Sequence, residues 1–192
     1  MSFSNGGKFI ISLDFELMWG VRDIVTIDTY GQHIAGVHVA MPKMLACFTR
    51  HNIKATFATV GFLFFETKEE LLNNLPQKLP RYKNANLSPY GKYIQKSVGR
   101  DYIADRYHFA PELIRMIQNT PGQEIGTHTF SHYYCLEEWQ NVDDFRDDLN
   151  AGIAAAKKNG YSHHKYRFSK EPVQYKLPAG LQRSWYYYIQ EQ

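Results

Sequence analysis

Two β-favouring runs with a helical stretch between them constrain this chain more than any other feature. Phe9-Ile-Ile-Ser-Leu13 is short and apolar, follows a Gly6-Gly7 breaker, and reads as a buried strand. From Ala40 to His51, residues Met41, Met44, Leu45 and Phe48 recur at helical spacing on one face, with Pro42 tolerated in the first turn. Ile53-Lys-Ala-Thr-Phe-Ala-Thr-Val60 is rich in β-formers and closes on Gly61, as a second strand should. Strand, helix and strand in that order predict a parallel βαβ unit, because parallel neighbours need a long crossover between them.

The rest of the chain extends the same alternation. Pro111 to Asn119 places Leu113, Ile114 and Ile117 on one helical face and is stopped by Pro121-Gly122; Glu124-Ile-Gly-Thr127 follows as a third short strand. Val142 to Lys158 is the clearest helix. Asn141 suits its N-cap, Asp143 and Asp144 complement the dipole, Phe145, Leu149, Ile153 and Ala156 form the buried stripe, and Gly160 is a natural stop. Glu66 to His108 is different: it is polar, contains Pro76, Pro80 and Pro89, and shows only scraps of helix such as Lys68 to Leu75. So long a connection is usually functional or disordered, and we expect it over a substrate site.

Composition limits the function classes. A chain of 192 residues, 44% hydrophobic and 21% charged, is an ordinary globular domain or part of one, which excludes wholesale disorder. A net charge of +3 is too weak to argue for nucleic acid or an anionic membrane surface. No apolar run reaches the ~18 residues of a membrane span. The first residues lack the basic-then-apolar pattern of a signal peptide. Cys47 and Cys135 make neither a disulfide framework nor a zinc knuckle, and the expectation is a reduced, cytoplasmic protein. The oligomeric state is left open.

Two short patterns carry chemistry. Asp14-Phe15-Glu16 lies at the end of the first strand, and a spacing of two puts both carboxylates on one side of an extended chain. Paired carboxylates at the C-terminal edge of a parallel sheet suit metal binding and base catalysis, although a solvated strand end reads the same way. His128-Thr-Phe-Ser-His132 follows the third strand. If this segment turns helically, its two imidazoles share a face and meet one metal; otherwise they are two unrelated surface histidines among eight. The combination is stronger than either part. Two imidazoles and a carboxylate form a common open site for a divalent metal, and a second carboxylate beside it supplies a base for hydrolysis.

Ser12-Leu-Asp-Phe-Glu16, Lys54-Ala-Thr-Phe-Ala-Thr-Val-Gly61 and Glu124-Ile-Gly-Thr-His-Thr-Phe-Ser-His132 occur in the order seen in polysaccharide deacetylases of the NodB-homology type. The chain resembles that family over roughly residues 8 to 160, and Gly126 to Cys135 is similar to members associated with surface-polysaccharide gene clusters. The resemblance implies an α/β fold, the N-terminal part of a distorted (β/α) barrel, and metal-dependent hydrolysis of an N-acetyl amide on a carbohydrate. It implies Asp14 as general base, Glu16, His128 and His132 as ligands of a divalent metal of the zinc type, Thr129 and Ser131 as supports of the turn, and Thr127 behind the ligands. The commoner family pattern has adjacent aspartates, so the Asp-x-Glu form leaves the roles of Asp14 and Glu16 open. His33, His38, His51, His108, His163 and His164 match no motif and are expected to be structural or superficial. Two rival functions remain: a non-catalytic metal- or glycan-binding remnant, and a C–N hydrolase acting on a small non-sugar amide.

The sequence changes character near residue 162. Five of the 22 basic residues but two of the 19 acidic ones lie in 162–192, so the excess charge sits there while 1–161 is neutral. The family enters another strand at this point, whereas Tyr166 to Lys176 is polar and shows no strand alternation. Codons permitted for this run, read one nucleotide forward, can encode a family-like Ile-Val-Phe-Pro-Lys-Asn-Gln-Tyr-Asn. The expectation is therefore a deacetylase-like domain over 1–161 followed by a frameshifted, non-homologous tail over 162–192. Such a truncated barrel would expose strand edges and turn over poorly, the late histidine acid and Arg–Asp pair of the family being absent. The alternative is a divergent tail that offers Trp185 and Tyr186 to Tyr188 to a partner.

Overall fold

Four parallel strands form one sheet in the spatial order β1 (Ser12–Phe15), β2 (Thr56–Thr59), β3 (Glu124–Thr127) and β4 (Tyr166–Phe168). The computed structural model describes residues 9–161 and 166–168. Each strand neighbours the next in sequence, and the register aligns Asp14 with Ala58 and Ala58 with Gly126. The α/β architecture with a parallel sheet expected from the alternation is therefore present.

The first strand departs from expectation at its start. Pairing begins at Ile11, whose carbonyl accepts from Thr56, so Phe9 and Ile10 precede the ladder and are exposed (91% and 71%). No strand flanks β1 on its outer side among the described residues. An apolar run reads as a buried strand only if a neighbour covers it, and here none does.

The crossover from β1 to β2 is a helix far longer than the periodicity over 40–51 suggests. α1 spans Ile27–Arg50, and Pro42 lies in its interior rather than its first turn. An interior proline costs about 3 kcal/mol, and Gly31 and Gly36 weaken the helix further. Tertiary packing reverses the balance: Gly31, Ile34, Met41 and Leu45 are buried, with Met44 and Phe48 partly so. Gly31 also lets the Tyr107 ring approach, since a Cβ there would lie 3.2 Å from it. At the N-terminus Thr26 and Thr29 bond to each other's backbone amides in a reciprocal capping box.

The long segment after β2 is folded rather than disordered. It contains α2 (Lys68–Asn73), a 3₁₀ turn (Ala85–Leu87) and α3 (Lys92–Ser97), and it buries Leu71, Tyr82, Leu87, Tyr90, Ile94 and Val98. Lys68 Nζ donates to the carbonyls of Gln95 and Val98, closing the segment on itself. The next two helices match the sequence reading. α4 (Pro111–Asn119) buries Leu113, Ile114 and Ile117; α5 (Val142–Lys158) buries the Phe145, Leu149, Ile153 and Ala156 stripe. Asn141 Oδ1 caps α5 by accepting from the amides of Asp143 and Asp144. Gly160, at φ +83°, ends it in the left-handed conformation that glycine adopts without penalty.

The polar run near 166 showed no strand pattern, yet the backbone of Tyr166–Phe168 pairs with Ile125–Thr127. The free side of β3 offers amides and carbonyls to any extended segment, whatever its side chains. The rest of the expected frameshifted tail, with His163 and His164, lies outside the described residues. Among the described residues no helix is long and apolar enough to cross a membrane.

Candidate metal centre

All strands run the same way, so β1, β2 and β3 deliver their C-terminal ends to one edge of the sheet. There the row Asp14, Ala58 and Gly126 carries one long side chain beside two minimal ones, leaving room above the central strand. Phe15 is buried on the opposite face, and Glu16 follows β1 at the entrance to a 3₁₀ turn (Leu17–Gly20). That turn is held from the far side: Met18 N donates to the Tyr107 carbonyl (3.1 Å), and Trp19 Nε1 donates to the His108 carbonyl (2.8 Å). Gly20 makes the decisive space. A Cβ at this position would fall 2.0 Å from the Glu16 carboxyl carbon, so the carboxylate occupies the volume that any other residue would fill.

The two histidines meet by a different route from the helical one. Thr129 (φ 63°) and His132 (φ 57°) are both left-handed, so the segment doubles back in a tight, strained turn and not in an α-helix. Its hydroxyls hold it together, as expected of Thr129 and Ser131, and Thr127, expected behind the ligands, joins them in the turn. Thr127 Oγ1 accepts from Thr129 N (3.1 Å), Thr129 Oγ1 accepts from Tyr133 N (2.8 Å), and Ser131 Oγ donates to Asp148 (2.5 Å). Gly61 N and Phe62 N donate to the Thr129 and Phe130 carbonyls, fastening the turn to the end of β2.

Glu16 Oε2 lies 3.2 Å from His128 Nε2 and 3.1 Å from His132 Nε2. Burial alone would raise the Glu16 pKa, but hydrogen bonds and charge from both imidazoles outweigh it and lower the carboxyl to about 2. One ligand atom from each of the three residues falls within a 4.8 Å cluster. This donor set fits a metal. Two imidazoles and a carboxylate suit a first-row divalent ion, and bonds of about 2.0–2.1 Å at tetrahedral angles require donors roughly 3.3 Å apart, close to the separations found. The His132 Nδ1 is buried and has no hydrogen-bond partner among the described residues. Asp14 stands apart from the cluster, with Oδ1 3.9 Å from His128 Nδ1. The two carboxylates thus face opposite nitrogens of one imidazole, Glu16 inward and Asp14, 42% exposed, toward solvent.

The residues around this centre are those that sequence reading missed. Asp148 on α5 is fully buried and reaches the histidine turn, while Tyr134 packs on the His132 ring (5.0 Å) and donates to Asp23 (2.9 Å). Arg22 lies over the Tyr93 and Tyr134 rings and donates to the carbonyls of Asn86 and Leu87. His108, placed among the structural or surface histidines, is wholly buried: Nδ1 meets Asp105 (2.8 Å) and Nε2 meets the Tyr93 hydroxyl (2.8 Å). Of the others, His38 bonds the Arg106 carbonyl, and His33 and His51 are exposed. One signal was available: an aspartate inside the apolar stripe of α5 marks a buried acceptor. Compared with protein-family models, curated proteins and solved structures, the chain matches none.

Proposed function

We propose that this chain is a metal-dependent hydrolase of the polysaccharide deacetylase type that removes an N-acetyl group from a carbohydrate. The observation that carries the reading is the convergence of Glu16 with His128 and His132, with Asp14 on the outer side of the same imidazole. The sheet supports the finer fold reading, the N-terminal part of a (β/α) barrel. Among the described residues, four parallel strands lie in sequential order with no reversal, as a barrel requires and a doubly wound sheet does not, and β1 has no strand on its outer side. Two unpaired cysteines accord with a reduced, cytoplasmic setting.

Glu16, His128 and His132 would hold a divalent ion, zinc by preference for this donor set, supplying Lewis acidity and a more acidic bound water. The chain's own contribution is division of labour between its carboxylates. Glu16, committed to two imidazoles, stays ionised and orients them. Asp14, open to solvent beside His128, would accept the proton of the attacking water. This assigns the ligand role to Glu16 and the base role to Asp14.

The test is acetate release from an N-acetylglucosamine oligomer together with metal analysis of the purified protein. The proposal expects one equivalent of metal and slow acetate release in the wild type, loss of both in His128→Ala, and loss of turnover with metal retained in Asp14→Asn. Metal binding without acetate release in the wild type would establish the non-catalytic remnant instead. Turnover confined to small non-sugar amides would transfer the chemistry to another substrate class.

A further inference from the structure

We infer that Asp148 is the positioning residue of the histidine turn, setting the spread of His128 and His132 toward Glu16; this rests on reading those three residues as metal ligands. The turn between the histidines is Thr129-Phe130-Ser131, and Asp148 holds its centre. One carboxylate oxygen accepts from Phe130 N at 2.7 Å, the other from Ser131 Oγ at 2.5 Å, with the Tyr90 hydroxyl at 3.5 Å. The side chain is 1% exposed, and it interrupts the apolar face of α5 between Phe145 and Leu149. A carboxylate there is costly, and a hydrophobic residue of similar volume would serve the core as well or better. Its placement is explained by what it accepts. A turn with two left-handed non-glycine residues stores strain and directs the central amide and hydroxyl away from any ladder, so both need an acceptor inside the protein.

A second observation points the same way. Gly152 lies four residues beyond Asp148, on the same helical face, and a Cβ there would sit 3.5 Å from Phe130 N and 3.6 Å from Phe130 Cα. α5 therefore supplies a close approach at one position and an acceptor at the other, both aimed at the residues between the ligands. Ser131 is covalently next to His132, so the hydroxyl bond to Asp148 transmits the helix position directly to that ligand.

The experiment titrates Co2+ into the wild type, Asp148→Asn, Asp148→Leu and Ser131→Ala, reading affinity and the visible d–d bands while melting each apo-protein. The expected result is a 10–100-fold weaker Co2+ affinity and altered bands for Asp148→Leu, as for loss of other outer-shell partners, even if its melting temperature equals or exceeds that of wild type. Asp148→Asn, which keeps an acceptor for Phe130 N, falls between it and wild type. Ser131→Ala shows the same change in bands with a smaller loss, and decides the matter if Asp148→Leu does not fold. Folded variants with wild-type affinity and bands overturn the inference, because a purely structural role would change melting alone. Failure of the wild type to bind Co2+ refutes the metal reading instead. The positioning role is then decided by the imidazole ¹⁵N resonances of His128 and His132, which move in Asp148→Leu if the carboxylate sets the turn and stay unchanged if it does not.

Discussion

Replacing Gly20 by alanine tests the proposed ligand role of Glu16 without touching Glu16. The new Cβ would stand 2.0 Å from both the carboxyl carbon and Oε1 of Glu16 and 2.5 Å from Oε2. Ordinary contact between such atoms is about 3.5–4.0 Å, so the carboxylate must retreat by roughly 1.5 Å. It now lies 3.1 and 3.2 Å from the two imidazoles, and a metal site tolerates errors of only about 0.2 Å. We therefore expect Zn2+ affinity to fall by about 10–100-fold, or ~1.4–2.7 kcal/mol. Folding should survive. The displaced group is the end of a flexible, partly exposed side chain that can swing into water, and Gly20 does not use the left-handed backbone that would penalise alanine. Shortening the unfolded chain's conformational freedom returns about 0.4–1 kcal/mol. Calorimetric titration with Zn2+, beside thermal melting of the apo-protein, separates the two effects, and the same substitution in a Glu16→Ala background should cost nothing further. A folded Gly20→Ala protein that binds Zn2+ within about threefold of wild type would refute the reasoning.

Three further outcomes follow from the surroundings of the site. Burial pushes the Asp148 carboxyl up to about 6, only partly countered by its hydrogen bonds from Ser131 and Phe130. Between 3.8 and about 6 the native state keeps a proton that the unfolded chain has released, so this group's contribution makes stability fall by ~3 kcal/mol as pH rises through that window. Urea denaturation at a series of pH values should show that slope, and Asp148→Asn should remove it; equal slopes would contradict the burial argument. Gly61→Ala puts a Cβ 2.9 Å from Phe130 Cα, a backbone atom with no room to yield, and should destabilise by about 1–3 kcal/mol, seen as a melting temperature several degrees lower. His108→Ala removes a buried partner from both Asp105 and Tyr93 and should cost about 3 kcal/mol, with new proteolytic cleavage within residues 66–108; protection equal to wild type would show that the pair does not anchor the segment.

Local pattern alone determined a good part of this protein. The order of strand, helix and strand required a parallel sheet, since only a crossover can join parallel neighbours. The boundaries of α4, β3 and α5 were legible because proline, glycine and Asn141 punctuate strong periodicity. Asp14, Glu16, His128 and His132 were legible because ligand chemistry needs specific residue types at strand ends. Tertiary structure decided the rest. α1 extends through glycines and a proline because its buried face outweighs poor local propensity. Phe9 and Ile10 look like core and are exposed because, among the described residues, no strand covers them. The segment from 66 to 108 folds through aromatic burial and hydrogen bonds to distant residues, which no window along the chain contains. The site follows the same division. Its four candidate side chains announce themselves by type, whereas the vacancy at Gly20 and the acceptor at Asp148 acquire meaning only from atoms brought beside them by folding.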